Sequence, residues 1–197
     1  ADPKTFGISE YEPVLPIYHS DQPEDSKEHC SDLLHRLDRI DPDRLSPENA
    51  YTYRLLHRSL ENDLALADFP YYNEPLSPSS GMQSQLPVLL AEYTFRTKRD
   101  VTDYLALLDQ IDDYFASLLL YEQEKAAAGF FMPACSSEKV RKQCDTIVTT
   151  EELAQGTHFL QTTFEDRLSE LQKQGLFTPE ETASLIKTND RLLATVV

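Results

Sequence analysis

Five histidines, three cysteines and 34 acidic residues are the groups in this chain that can bind a metal, attack a carbonyl or carry a proton. A zinc peptidase holds its ion with two imidazoles one helical turn apart and activates water with a glutamate set between them. His19, His29, His35, His57 and His158 show no such spacing. His29 and His35 come nearest, about a turn and a half apart on one predicted helix, and solvent-facing or capping roles suit them better. There is no Gly-x-Ser-x-Gly elbow, phosphate loop or dinucleotide fingerprint, and five glycines are little material for a phosphate cradle. Cys30, Cys135 and Cys144 form an odd set with no Cys-x-x-Cys pair and no adjacent histidine, so neither a zinc ribbon nor a disulfide framework is indicated. Cys30 and Cys144 fall on apolar helix faces and are expected as small buried hydrophobes, with a Cys135–Cys144 bridge left open. Carboxylate pairs such as Asp112–Asp113 and Glu151–Glu152 are too common in so acidic a chain to mark acid–base catalysis. No catalytic residue, metal ligand or cofactor is assigned.

One loop is specified beyond the needs of connection. Between Asn73 and Gln85, Pro75, Pro78 and Gly81 fix the backbone, and Gln83 and Gln85 lead into the next helix. Amides beside a rigid loop can bind a peptide backbone, which makes Asn73, Gln83 and Gln85 candidate substrate-side residues. The competing reading is that they cap and pin the loop.

Helices have to position these groups, because no run alternates like a strand between hairpin turns. The clearest is a long helix over residues 97–128. Thr97 can cap it, Asp100 suits its positive end, and Gly129 offers a left-handed stop. One apolar stripe runs through Val101, Tyr104, Leu105, Leu108, Ile111, Phe115, Leu118 and Leu119, and a second through Leu107, Tyr114 and Tyr121. Apolar on more than one face, the rod is expected at the centre of a bundle, with Asp109, Asp112, Asp113 and Glu122 on its wet edge. Before it, residues 1–24 carry Pro3, Pro13, Pro16 and Pro23 and read as an extended segment lying across helices through Tyr11 and Tyr18. The heptad-like set Cys30, Leu33, Leu34, Leu37 and Ile40 marks a first helix, and Ser46–Pro47 starts a second that reaches about Asp68. Later starts are read at Ser136 or Ser137, at Thr149 or Thr150, and at the capping box Thr178-Pro179-Glu180-Glu181. The sequence therefore predicts an all-α, multi-helix bundle of about six or seven helices, with 25–197 as the bundle and 1–24 as its extended leader.

Charge and hydropathy bound the partners. Against 34 acidic residues stand 18 basic ones, and a formal charge of −16 repels a phosphate backbone, so nucleic acid is not an expected partner. No apolar run nears the ~20 residues that span a bilayer. The opening ADPKTFGIS lacks the layout of a signal peptide.

The stretch NEPLSPSSGMQSQLPVLLAEYTFRTKRDVTDYLALL, followed by EQEKAAAG, resembles the N-terminal half of the bacterial family called domain of unknown function 885, and DPKTFGISEYEPVL is similar to the segment after that family's first helix. The Pro-Leu and Gly-x-x-x-Gln loop, the Phe-Arg-Thr helix entry and the Glu-Lys-Ala-Ala exit carry the likeness. Members resemble zinc metallopeptidases, are often exported or lipid-anchored, and bear His-Glu-x-x-Pro-Gly-His-His in a C-terminal half. That motif does not occur here. The resemblance implies a non-catalytic helical part of an extracellular or cell-envelope protein, with zinc confined to a missing catalytic half, that half as its partner and peptide as the substrate. The loop of Asn73, Gln83 and Gln85 would then face the cleft. A free-standing helical protein-interaction module is the alternative.

Overall fold

The structure is a computed structural model that describes residues 8, 10–18 and 22–195, so His19 lies outside the described residues. Among those residues there are nine α-helices and no strand: α1 (Gln22–Leu37), α2 (Pro47–Leu66), α3 (Met82–Ala91), α4 (Lys98–Leu108), α5 (Ile111–Ala127), α6 (Ala134–Ile147), α7 (Thr150–Gln155), α8 (Phe159–Lys173) and α9 (Pro179–Thr195). The all-α, multi-helix expectation holds.

Local chemistry explains most of the helix ends. Ser46 accepts from Asn49 N at 3.3 Å and Pro47 opens α2. Thr97 and Asp100 form a reciprocal capping box at α4, and Thr178 with Glu181 does the same for α9, at 3.2 and 2.8 Å. Gly129 ends α5 at φ 87°, where a side chain would be strained, and Phe130 N closes the turn onto Lys125 O at 3.0 Å. The start of α6 differs from expectation. It begins at Ala134, because the carbonyl of Pro133 accepts from both Ser136 N and Ser137 N.

The predicted rod over 97–128 is two helices, interrupted at Asp109 and Gln110. Neither glycine nor proline causes the interruption. Gln110 is claimed by the extended segment instead: its Nε2 donates to Pro13 O at 2.9 Å and its Oε1 accepts from Leu15 N at 3.0 Å. Its carbonyl then starts the next helix by accepting from Tyr114 N at 3.0 Å. Asp112 and Asp113, read from sequence as a wet edge, sit in the first turn of α5, where the helix dipole favours negative charge.

The chain forms two compact units, residues 1–17, 75–119 and 131–197 in one and residues 18–74 and 120–130 in the other. In the larger unit α9 packs on α8, α4 and α7, and α3 packs on α6 and α8. Val101, Tyr104, Leu108, Leu118, Leu160, Phe164 and Leu168 are fully buried there. Phe95, Tyr104 and Phe164 meet ring to ring at 5.3–5.5 Å, worth about 0.5–1.5 kcal/mol per pair beyond burial. The extended segment docks on this unit: Tyr11 donates its hydroxyl to Asp103 at 2.8 Å, and Arg99 donates to Tyr11 O at 2.6 Å. In the smaller unit α1 packs along α2 and buries Cys30. Helix α2 has no buried residue, and its Tyr51, Leu55, Leu56 and Leu66 are half or more exposed.

Candidate functional site

The loop before α3 is built on a close approach. Met82 N donates to Pro75 O at 2.9 Å and Gly81 N to Ser77 O at 3.0 Å, folding 75–81 back on itself. A Cβ on Gly81 would lie 2.2 Å from Ser77 N and 2.5 Å from Ser77 O, both backbone, so only glycine fits. Gln83, on the first turn of α3, is 3% exposed. Its Nε2 donates to Ser77 O at 2.7 Å and to Gln143 Oε1 at 2.9 Å, while Gln143 Nε2 donates to Pro78 O at 2.9 Å. Two amides thus fasten the loop to α6, and Nε2 of Gln83 is a loop pin. Sequence reasoning passed over Gln143, a polar residue in a helix with nothing local to mark it.

The three candidate residues do not form one described group. Gln85 is exposed on α3. Asn73 belongs to the other unit, where its carbonyl accepts from the Tyr121 hydroxyl at 3.1 Å and from Lys125 Nζ at 3.3 Å. Lys125 is 1% exposed and pairs with Glu74 at 2.6 Å and more loosely with Glu122 at 3.9 Å. Burial, then the negative charges of Glu122 and Glu74, push the Tyr121 hydroxyl up to about 12. Burial also raises the Glu122 carboxyl, against the opposing pull of Lys125. Glu122 Oε1 is buried and receives no hydrogen bond.

Next to the loop pin, the larger unit holds a cavity of about 260 Å³ between α3, α5, α6 and α8. Leu86, Leu90, Phe115, Ile147, Val148 and Leu160 supply apolar wall, and Gln83, Asp112 and Cys144 the polar edge. Cys144 is exposed, contrary to the sequence expectation of a buried thiol: its helix face opens on the cavity mouth and not on packed core. Cys135 is also exposed, and all three cysteines are free, so the Cys135–Cys144 bridge is not formed.

Three of the histidines have structural partners, and His29 is exposed. His35 contacts Ser31 O at 2.9 Å, and His57 lies between Asp38 and Glu61 at 3.1 and 3.5 Å. His158 is buried and caps α8: Nδ1 accepts from Leu160 N at 3.3 Å, so Nε2 carries the hydrogen donated to Ile147 O at 2.8 Å. Among the described residues no three of His, Cys, Asp and Glu come together as a metal cluster. No helix there is long and apolar enough to cross a membrane.

The family described as bacterial protein of unknown function, DUF885, matches residues 4–196. No curated protein matches the chain. Among solved structures, a putative lipoprotein from Colwellia psychrerythraea shares the fold with a TM-score of 0.69 at 15% identity. The likeness covers 93% of this chain and 32% of that one, so the chain spans about a third of the length of that structure.

Proposed function

The chain belongs to the DUF885 family, and from that premise we propose that it is the helical, non-catalytic part of a longer, exported, zinc-metallopeptidase-like protein, whose substrate cleft it covers or shapes. The observation that carries this reading is α2. A helix of 20 residues has no buried residue, yet Tyr51, Leu55 and Leu66 fall within about 60° of one another around its axis and are more than half exposed. Apolar side chains gathered this way mark a surface that another part of a protein covers. The Colwellia structure supports the reading through its greater length, and its description as a lipoprotein supports a place in the cell envelope. The partner is the remainder of the same protein and the substrate a peptide. Gln85 offers an exposed amide to that substrate.

The coding sequence after Val197 and the metal content of the full-length protein test this. A His-Glu-x-x-Pro-Gly-His-His segment downstream, stoichiometric zinc in the full-length protein and chelator-sensitive peptide cleavage are expected. A stop codon after Val197, or zinc and peptidase activity in the 197-residue chain alone, overturns the proposal. The stop codon would favour a free-standing protein-interaction module.

A further inference from the structure

Three aromatic rings stand together at the surface of the smaller unit. Phe69, Tyr72 and Phe130 are 53%, 69% and 40% exposed, yet they touch one another: Phe69 meets Tyr72 edge to face at 5.5 Å, and Tyr72 meets Phe130 at 5.7 Å. Their backbone is held in place. Pro70 opens the short 3-10 turn that carries Tyr72, the Tyr121 hydroxyl donates to Pro70 O at 2.8 Å as well as to Asn73 O, and the turn at Gly129 fixes Phe130. Rings on a rigid frame bind without first having to be ordered. Charge says what they bind. The segments that carry them, 66–74 and 120–130, hold the acids Asp68, Glu74, Glu122 and Glu124 and a single base, Lys125, which is 1% exposed. Lys27 reaches Asp68 from α1 at 2.6 Å, and even so this unit has fifteen acids against seven bases. An aromatic face is itself negative, so rings and acids together favour a cation. The same charge opposes a second copy of this chain, which would bring two acidic surfaces face to face. The fold already uses such pairing elsewhere: the Arg99 guanidinium lies 4.2 Å over the Tyr11 ring, and that of Arg167 4.4 Å over Phe95. Among the described residues no cation lies over Phe69, Tyr72 or Phe130.

We infer that Phe69, Tyr72 and Phe130 form a docking surface for an arginine-bearing basic segment of a separate protein, with guanidinium groups stacked on the rings and Asp68 and Glu74 flanking them. Size makes the occupant a short segment. Half-exposed rings offer roughly 100 Å² each, and three fall well below the roughly 800 Å² that each partner gives a standard interface. Permanent interfaces are the more hydrophobic, which suits the exposed leucines of α2, whereas rings flanked by acids suit a partner that comes and goes. The inference goes beyond the proposed function, because it concerns a different set of side chains and needs no catalytic half.

A fluorescein-labelled peptide of four Arg-Gly repeats is the probe, read by anisotropy, with a peptide of four Lys-Gly repeats as the control of equal charge. Arginine stacks on aromatic faces better than lysine does, so the arginine peptide should bind several-fold more tightly. Phe69→Ser together with Tyr72→Ser leaves the formal charge at −16. The pair should weaken the arginine peptide about tenfold, the size of two exposed cation–π contacts, with the lysine peptide little changed and the far-ultraviolet circular dichroism spectrum unaltered. Equal affinity for the two peptides, or an arginine affinity unmoved by the double variant, would reduce the binding to general attraction for an acidic chain and overturn the assignment. Self-association of the wild type that the double variant abolishes would make a second copy the occupant, and loss of peptide binding in the full-length protein would make its own remainder the occupant. Either result overturns it too. If the double variant loses helicity, Tyr72→Ser alone decides: binding about threefold weaker supports the docking surface, and unchanged binding overturns it.

Discussion

Arg167 in the larger unit and Lys125 in the smaller are long basic side chains drawn in from water, and the two units solve the resulting electrostatic problem in opposite ways. In the larger unit Arg167 reaches from α8 to the end of α3, where it donates to Leu90 O at 3.0 Å and to Tyr93 O, besides Thr163 O at 2.8 Å on its own helix. Its guanidinium lies 4.4 Å over the Phe95 ring and 5.2 Å over Tyr104. Among the described residues no carboxylate is within ion-pair distance of it. The last carbonyls of a helix have no partner within the helix and carry its negative dipole, and a planar fork with five donors suits them. In the smaller unit Lys125 has two carboxylates, Glu74 and Glu122, and one carbonyl. Carbonyls and rings do not titrate, whereas carboxylates do. The contacts that hold Arg167 are therefore indifferent to pH, and those that hold Lys125 respond to it.

Removing Arg167 should have the largest effect. Arg167→Leu removes two charge-assisted hydrogen bonds to carbonyls, worth ~1.5–3 kcal/mol each, and a loss of roughly 3 kcal/mol is expected in denaturant unfolding. Arg167→Lys should recover little of it, because a point charge cannot replace the fork. Full recovery by lysine would break the comparison. Lys125→Met comes next, at about 2 kcal/mol, reduced because the Glu74 side chain is 42% exposed and water takes over part of its pairing. The smaller unit should loosen first, seen as faster amide exchange over residues 70–74 than over α8. The loop pin follows: Gln83→Ala should cost about 1–2 kcal/mol, and Gln85→Ala should stay within about 0.5 kcal/mol of wild type. Equal losses would mean that Gln85 also holds the loop.

The smallest effect has a defined sign. Glu122 has a folded-state pKa above its ordinary value of 4.5, mainly through burial. Its contribution to stability is thus present below the unfolded value and lost as pH rises through the raised folded value. Glu122→Gln, neutral at every pH, should raise the melting temperature at pH 7, and the gain should shrink toward pH 4. A gain that is constant with pH, or a loss at pH 7, would show that the Lys125 pair outweighs desolvation.

Sequence chemistry located the helices where a cap was written in adjacent residues, as at Ser46–Pro47, Thr97–Asp100 and Thr178–Glu181. It joined α4 to α5 because the signal that parts them is tertiary: nothing local says that Gln110 will bond to Pro13 and Leu15. The cluster Asp109, Asp112 and Asp113 was the available hint, since acids gather at helix starts. At the candidate site the rigid loop was legible from Pro75, Pro78 and Gly81. The role of Gln83 was not, because a glutamine looks the same in sequence whether it faces water or pins a buried carbonyl. Arg167 and Lys125 were invisible for a related reason. Their distant partners lie 51–77 residues away along the chain, and three of those four are backbone carbonyls, which every residue possesses.

The clasp of Gln110 on the extended segment also imposes an order in time. Leu15 and its acceptor are 95 residues apart, so during synthesis the segment is complete long before the side chain that holds it exists. At ~5–20 residues per second the gap is roughly 5–20 s. Until then Tyr11, Pro13 and Leu15 have no α4–α5 corner to bind, and closing so long a loop is a late event in any folding route. A nascent chain stalled before residue 110 should leave the 11–17 segment open to protease, and one stalled well beyond it should not.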